Sequence, residues 1–172
     1  DSDLAGFCVG VVERSHLIDG TAIAAGDVVL GVNSAGIHSN GFSLARKIVF
    51  EMAGLDVSSA VEPLETTVGE ALMTPTRIYS RPVRKVLLHY KVKNVVHGIA
   101  HVTGGGLHEN IERIVPAGVR VQIRKDAWTV PPIFAWLQQL GNVDDAEMYR
   151  VFNMGIGLAM IVSPYYADSI CR

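Results

Sequence analysis

Apolar residues fall along this chain in two distinct periods. The stretches 7–14 ("FCVGVVER") and 28–33 ("VVLGVN") are rich in valine and nearly unbroken, as strands buried in a core are. Asp19-Gly20 and Ala25-Gly26-Asp27 supply turn signals between them. From Phe42 to Ala53 the apolar positions 42, 45, 48, 49 and 52 lie on one helical face, which Gly54 ends. "PTRIYSRPVRKVLLHY" predicts a helix with Pro82 near its start or at a kink. Residues 95–102 read as a strand, and Leu107, Ile111, Ile114 and Val115 line a helix closed by Pro116. "VRVQIRK" alternates strictly, which predicts a strand with Val119, Val121 and Ile123 inward and Arg120, Gln122 and Arg124 in water. "PPIFAWLQQLG" predicts a short helix from Pro132 to Gly141. "DDAEMYRVF" opens on a capping-box pattern at Asp144 and Glu147, and "GIGLAMIVS" follows as a buried strand. The expected fold is α+β: a mixed β-sheet covered by helices, without repeats or low-complexity segments.

Composition narrows the picture. The 172 residues suit one domain, or most of one, and 49% apolar content is enough for a real core, which excludes a disordered chain. A net charge of −2, from 15 basic and 17 acidic residues, gives no electrostatic footprint for nucleic acid or an anionic membrane. Cys8 and Cys171 are too few for a disulfide framework and fit a reducing, cytoplasmic setting, with Cys8 expected as a plain buried thiol. The chain opens on Asp-Ser-Asp rather than a basic leader. Its longest uncharged run, 151–167, is broken by Asn153, two glycines and Pro164, so a soluble protein is expected. Both ends read as cut, the first close to a strand and the last after a helix start at "SPYYADSICR", so a piece of a longer protein is expected.

Two loops stand out chemically. "VVLGVNSAGIHSNGFSLAR" and "HVTGGGLHENI" share one plan: a strand, a loop of Gly, Ser, Thr and Asn, then a helix. Such a loop presents unpaired backbone N–H groups at the positive end of a helix dipole, a ready anion site. Gly36 and Gly41 permit close approach; Ser34, His38, Ser39 and Asn40 add side-chain groups, and Arg46 follows in the helix. Thr103, Gly104, Gly105, Gly106 and Asn110 equip the second loop in the same way. Neither matches a Walker A or a dinucleotide fingerprint. A tight turn and a phosphate cradle both remain open on these residues alone. The histidines at 16, 89, 97 and 108 show no metal-ligand spacing, so no metal site is expected within the chain.

The longer strings "GVNSAGIHSNGFSLAR", "MTPTRIY", "HGIAHVTGGGLHENIERIVP" and "EMYRVFNMGIGL", in that order, resemble the phosphoribosylformylglycinamidine cyclo-ligases (AIR synthetases) of purine biosynthesis. The likeness covers essentially the whole chain. It implies most of the C-terminal domain of that family, over 1–172, lacking the last helix and strand and a complete N-terminal half. It implies ATP-dependent closure of formylglycinamidine ribonucleotide to aminoimidazole ribonucleotide, with Mg²⁺ held mainly by acidic residues of the N-terminal half and this chain forming the facing wall of the cleft. It further implies a homodimeric parent acting on a small-molecule nucleotide.

Carried over residue by residue, Ser34, Gly36, Ser39, Asn40 and Gly41 are implied in substrate or phosphate contact, as are Thr103 to Gly106 and Asn110. His38 is implied in a polar or proton-handling role at the reacting amidine. Thr76, beside Arg77, is a ligand contact or a helix start, and Asn153 and Gly155 are architecture near the cleft. Two alternatives stay open. One is another ATP-using enzyme of the same superfamily, such as formylglycinamidine synthetase or a small-molecule kinase; the other is a non-catalytic ligand-binding fragment.

Overall fold

A computed structural model describes residues 6–172. Strand β1 (Val28–Asn33) leads through the first small-residue loop into helix α1 (Phe42–Arg46), which continues as a π-helical segment to Met52. Gly54, at φ 65°, takes the left-handed conformation that ends it. A two-stranded ribbon, β2 (Ala60–Val61) and β3 (Thr66–Thr67), precedes α2 (Val68–Leu72). Helix α3 (Ser80–His89) holds Pro82 in its first turn, where a missing N–H breaks no helical bond. Strand β4 (Val96–His101) and helix α4 (Gly106–Glu112) flank the glycine triplet. Helices α5 (Pro132–Gly141) and α6 (Asp145–Val151), strand β5 (Ile156–Val162) and helix α7 (Ala167–Cys171) complete the chain.

The main sheet has the order β1-β5-β4, and both outer strands pair antiparallel to β5. Two strands antiparallel to a common neighbour run in the same direction. The C-terminal ends of β1 and β4 therefore leave the sheet at one edge, where β5 begins: Asn33 lies opposite Ile156 and His101 opposite Leu158. Every residue of β5 is buried. Ala159 and Ile161 pack into one cluster with Ile23, Val102 and Ile111, while Leu158, Met160 and Val162 pack on the other face with Tyr79 and Ala167. A third cluster, around Phe134, Phe152, Ile48 and Leu137, joins the segment 42–52 to α2, α5 and α6.

Three expectations change. Residues 7–13 form no strand: Phe7, Val9 and Val11 are 95%, 82% and 102% exposed, and Cys8 is exposed rather than buried. An apolar run becomes a strand only beside another strand, and among the described residues none pairs with it. The segment 119–125 keeps its alternation, with Val119, Val121 and Ile123 half-buried, but has no ladder partner and ends in a 3₁₀ turn at Lys125–Ala127. Period-two burial reports which side chains face the core, not what the backbone bonds to. The capping box at Asp144 does not form either. Glu147 instead grips Arg150, at 2.6 and 2.5 Å, leaving the Asp144 side chain without a cap bond.

Candidate functional site

The sheet topology brings the two small-residue loops side by side. The Gly104 N–H donates to the Asn40 side-chain oxygen at 3.1 Å, across 64 residues of sequence. The Ser39 and Thr76 hydroxyls meet at 3.2 Å, which joins the segment 74–79 to the same edge. Asn153 approaches from below: its Oδ1 accepts from the Ser34 hydroxyl (2.9 Å) and the Gly155 N–H (2.8 Å), and its Nδ2 donates to the Gly36 carbonyl (2.9 Å). Residues 34–41, 76–77, 103–110 and 153 thus form one constellation. Arg46 lies exposed farther along the helical segment.

Within it the side chains divide by task. Asn110 is buried, and its Nδ2 serves the carbonyls of Thr103, Gly104 and Gly106 at 3.3, 3.2 and 2.7 Å. Its Oδ1 accepts from the Thr103 hydroxyl and from Arg113. Buried amides satisfied this fully hold a loop in one shape. Asn110, Asn153 and Ser34 therefore set the loops, and the outer ground is left to the exposed Ser39 and Gly104 and the half-buried Asn40 and Gly105.

The three glycines of the triplet answer to different demands. Gly106, at φ 63°, runs so close to α6 that a Cβ would lie 2.0 Å from the Tyr149 carbonyl oxygen. Gly105, at φ 94°, takes the left-handed turn into α4, against the Glu109 side chain. A Cβ on Gly104 would meet nothing within 4 Å. One glycine serves packing and one the turn; the third keeps the outer surface open for close approach. In the first loop, a Cβ on Gly41 would enter the Phe152 ring at 2.5 Å.

His38 is 3% exposed and stands at φ 59°. Its Nε2 faces two backbone donors, the N–H of Ala35 at 3.0 Å and that of Arg77 at 3.5 Å. A nitrogen facing donors must carry a lone pair, so the proton of the neutral ring sits on Nδ1. That atom is buried without a hydrogen-bond partner in the protein. Burial, then the charges of His101 and Arg77, lower the histidine's pKa below its ordinary 6.5. Tyr79, a residue the sequence did not single out, tilts against both His38 and His101 and donates its hydroxyl to the Asn33 carbonyl at 3.0 Å. Burial pushes that phenol's pKa up, against the lowering charge of Arg77. The floor beneath them is Gly157 of β5, where a Cβ would lie 2.0 Å from the Tyr79 hydroxyl and 2.6 Å from the His38 ring.

A depression of about 540 Å³ adjoins the first loop, lined by Ala35, Gly36, Glu70, Thr74 and Pro131 among others. A groove of about 520 Å³ lies along β1 and the segment 119–124, touching the second loop only at Leu107. The convergence of polar loops, rather than cavity size, marks the candidate site. No group of three or more His, Cys, Asp or Glu among the described residues is placed to hold a metal ion, and no helix there is long and apolar enough to cross a membrane.

Fold and site together define an α+β domain that gathers small-residue loops at the C-terminal ends of two strands. Residues 24–171 match the family described as AIR synthase related protein, C-terminal domain, and the chain belongs to that family. It is 51% identical over 168 residues to a phosphoribosylformylglycinamidine cyclo-ligase of Syntrophus aciditrophicus (strain SB), covering 98% of this chain and 47% of that protein. It is 50% identical over 170 residues to the protein of that name from Geobacillus thermodenitrificans (strain NG80-2), covering 99% and 48%. With its namesake from Burkholderia lata it shares 55% over 167 residues, covering 97% and 46%. The chain spans about half the length of the curated relatives it matches. The exposed apolar stretch at 7–13 lies outside the matched family domain.

Proposed function

We propose that this chain forms one wall of the active-site cleft of a phosphoribosylformylglycinamidine cyclo-ligase, which closes formylglycinamidine ribonucleotide to aminoimidazole ribonucleotide with ATP in purine biosynthesis. The observation that carries the reading is the Asn40–Gly104 bond, which joins both glycine-bearing loops into a single polar surface. Close relatives bear the cyclo-ligase name along nearly the whole chain.

Ring closure with phosphoryl transfer needs positioning and charge neutralisation more than covalent help from protein. The exposed Gly104 allows a phosphate or ribose to approach the backbone closely, with Ser39, Asn40, Gly41 and Thr76 on the facing side. Thr103, Asn110, Ser34, Gly36 and Asn153 hold those groups in register from beneath. Arg46 adds positive charge one helical segment away. The described residues offer no carboxylate cluster suited to Mg²⁺, so no step is assigned to the ion on this chain; its ligands belong to the remainder of a full-length protein.

The reading is tested by turnover. A chain extended to the length of its relatives forms aminoimidazole ribonucleotide with ATP and Mg²⁺, and the 172-residue chain alone does not. Turnover by the short chain would overturn this division of labour. The extended protein is a cytoplasmic homodimer and the short chain is monomeric or weakly associated; a tight dimer of the short chain in sedimentation would contradict the second half of that statement.

A further inference from the structure

His38 presents two faces with opposite hydrogen-bond character. Nε2 lies against the N–H groups of Ala35 and Arg77, which sit on either side of the constellation, one in the 33–41 loop and one in the segment 74–79. Nδ1 is buried and has no protein partner. Tyr79 repeats the same bridge one layer down, reaching from the segment 74–79 to the Asn33 carbonyl. The two rings lie with centroids 6.1 Å apart over Gly157, the position on β5 where a side chain would displace both.

A ring whose Nε2 already accepts from two backbone donors cannot take up a proton there without becoming a donor that faces donors. A protonated ring would face N–H with N–H, beside the charged Arg77 and close to His101. We propose that His38 and Tyr79 are positioning residues. In this arrangement the neutral His38 ring, as an Nε2 acceptor, and the Tyr79 hydroxyl clamp the 33–41 loop to the segment 74–79. The Nδ1–H of His38 stays buried without a protein partner, and the ring does not exchange protons during the reaction. This rests on the cyclo-ligase reading only for its kinetic arm.

The direct test is long-range ¹⁵N–¹H correlation of the histidine rings in the 172-residue chain across pH. The expected result is a neutral Nδ1–H tautomer for His38 that persists below the ordinary histidine value of 6.5. An Nε2–H tautomer, or titration of His38 at or above 6.5, would overturn the proposal whether or not the protein is a cyclo-ligase.

The kinetic arm uses the extended protein. His38→Gln places an amide oxygen near the Nε2 position with nothing to titrate, whereas His38→Ala removes the acceptor. The glutamine variant should recover at least tenfold of the kcat/KM that alanine loses. Tyr79→Phe should lower kcat/KM about tenfold with the shape of its pH profile unchanged. Equal losses in the glutamine and alanine variants would assign the ring a proton-transfer role and contradict the clamp. Absence of cyclo-ligase turnover in the unmutated extended protein would instead refute the proposed function and leave the tautomer result standing.

Discussion

Three adjacent glycines carry three different loads, and substitution separates them. Gly106→Ala combines a positive φ with a Cβ driven into the Tyr149 carbonyl, so it should destabilise the chain by about 2–4 kcal/mol in urea unfolding. Gly104→Ala meets open space and should fall within about 0.5 kcal/mol of the unmutated chain. Gly105→Val is a poor probe of ligand contact: φ 94° and the nearby Glu109 side chain would strain a β-branched residue before any ligand arrived. Equal unfolding midpoints for Gly104→Ala and Gly106→Ala would refute this division. The glycines were legible in the sequence as a group, but their separate tasks were not, because those depend on α6 passing behind Gly106, some 40 positions on. Tyr79 escaped notice for a similar reason. Only the fold brings its hydroxyl to Asn33.

At the scale of elements, helical periodicity transferred well to the structure and strand-like patterning less so. The face predicted for 42–53 appears as a helical segment ending at Gly54, and "PPIFAWLQQLG" forms α5 with Phe134 and Leu137 fully buried. A helix bonds to itself, so its local pattern is nearly sufficient. A strand needs a partner from elsewhere, and 7–13 and 119–125 have apolar patterning without one. Caps divide in the same way. The box expected at Asp144 is absent, while Thr67 and Glu70 form one at α2, with the Glu70 N–H donating to the Thr67 hydroxyl at 3.3 Å and the Thr67 N–H to the Glu70 carboxylate at 3.1 Å. Three bonds from the threonines lower the Glu70 pKa, the Thr66 hydroxyl contributing most. Thr67→Ala should therefore cost about 1 kcal/mol of stability, and Asp144→Ala close to none, by thermal or urea unfolding. The reverse order would show that the caps are wrongly assigned.

For the molecule as a whole, acid should act first through His38. Its folded pKa lies below 6.5 because the ring is buried, with His101 and Arg77 also opposing its charge and the Tyr79 ring alongside. Above pH 6.5 both folded and unfolded chains hold the ring neutral, and its contribution is fully present. As pH falls below that value the unfolded chain takes up the proton first, so stability drops toward the folded pKa. The urea midpoint of the chain should decline as pH falls below about 6.5, and that part of the decline should vanish in His38→Gln. The exposed carboxylates with lowered pKa, Asp19, Asp56, Glu70 and Glu147, act only in stronger acid. An identical decline in the variant would remove His38 as its cause. By sending β1 and β4 out at one edge, the sheet topology brings two separate loops together, and we propose that they form one ligand wall. Gly104→Val in the extended protein tests it most directly, since the added side chain occupies only the space a ligand would need. The account predicts a fall in kcat/KM of at least about tenfold, a loss of about 1.4 kcal/mol, with an unchanged unfolding midpoint. Normal kinetics in that variant would mean that the loops are turns and the wall binds nothing.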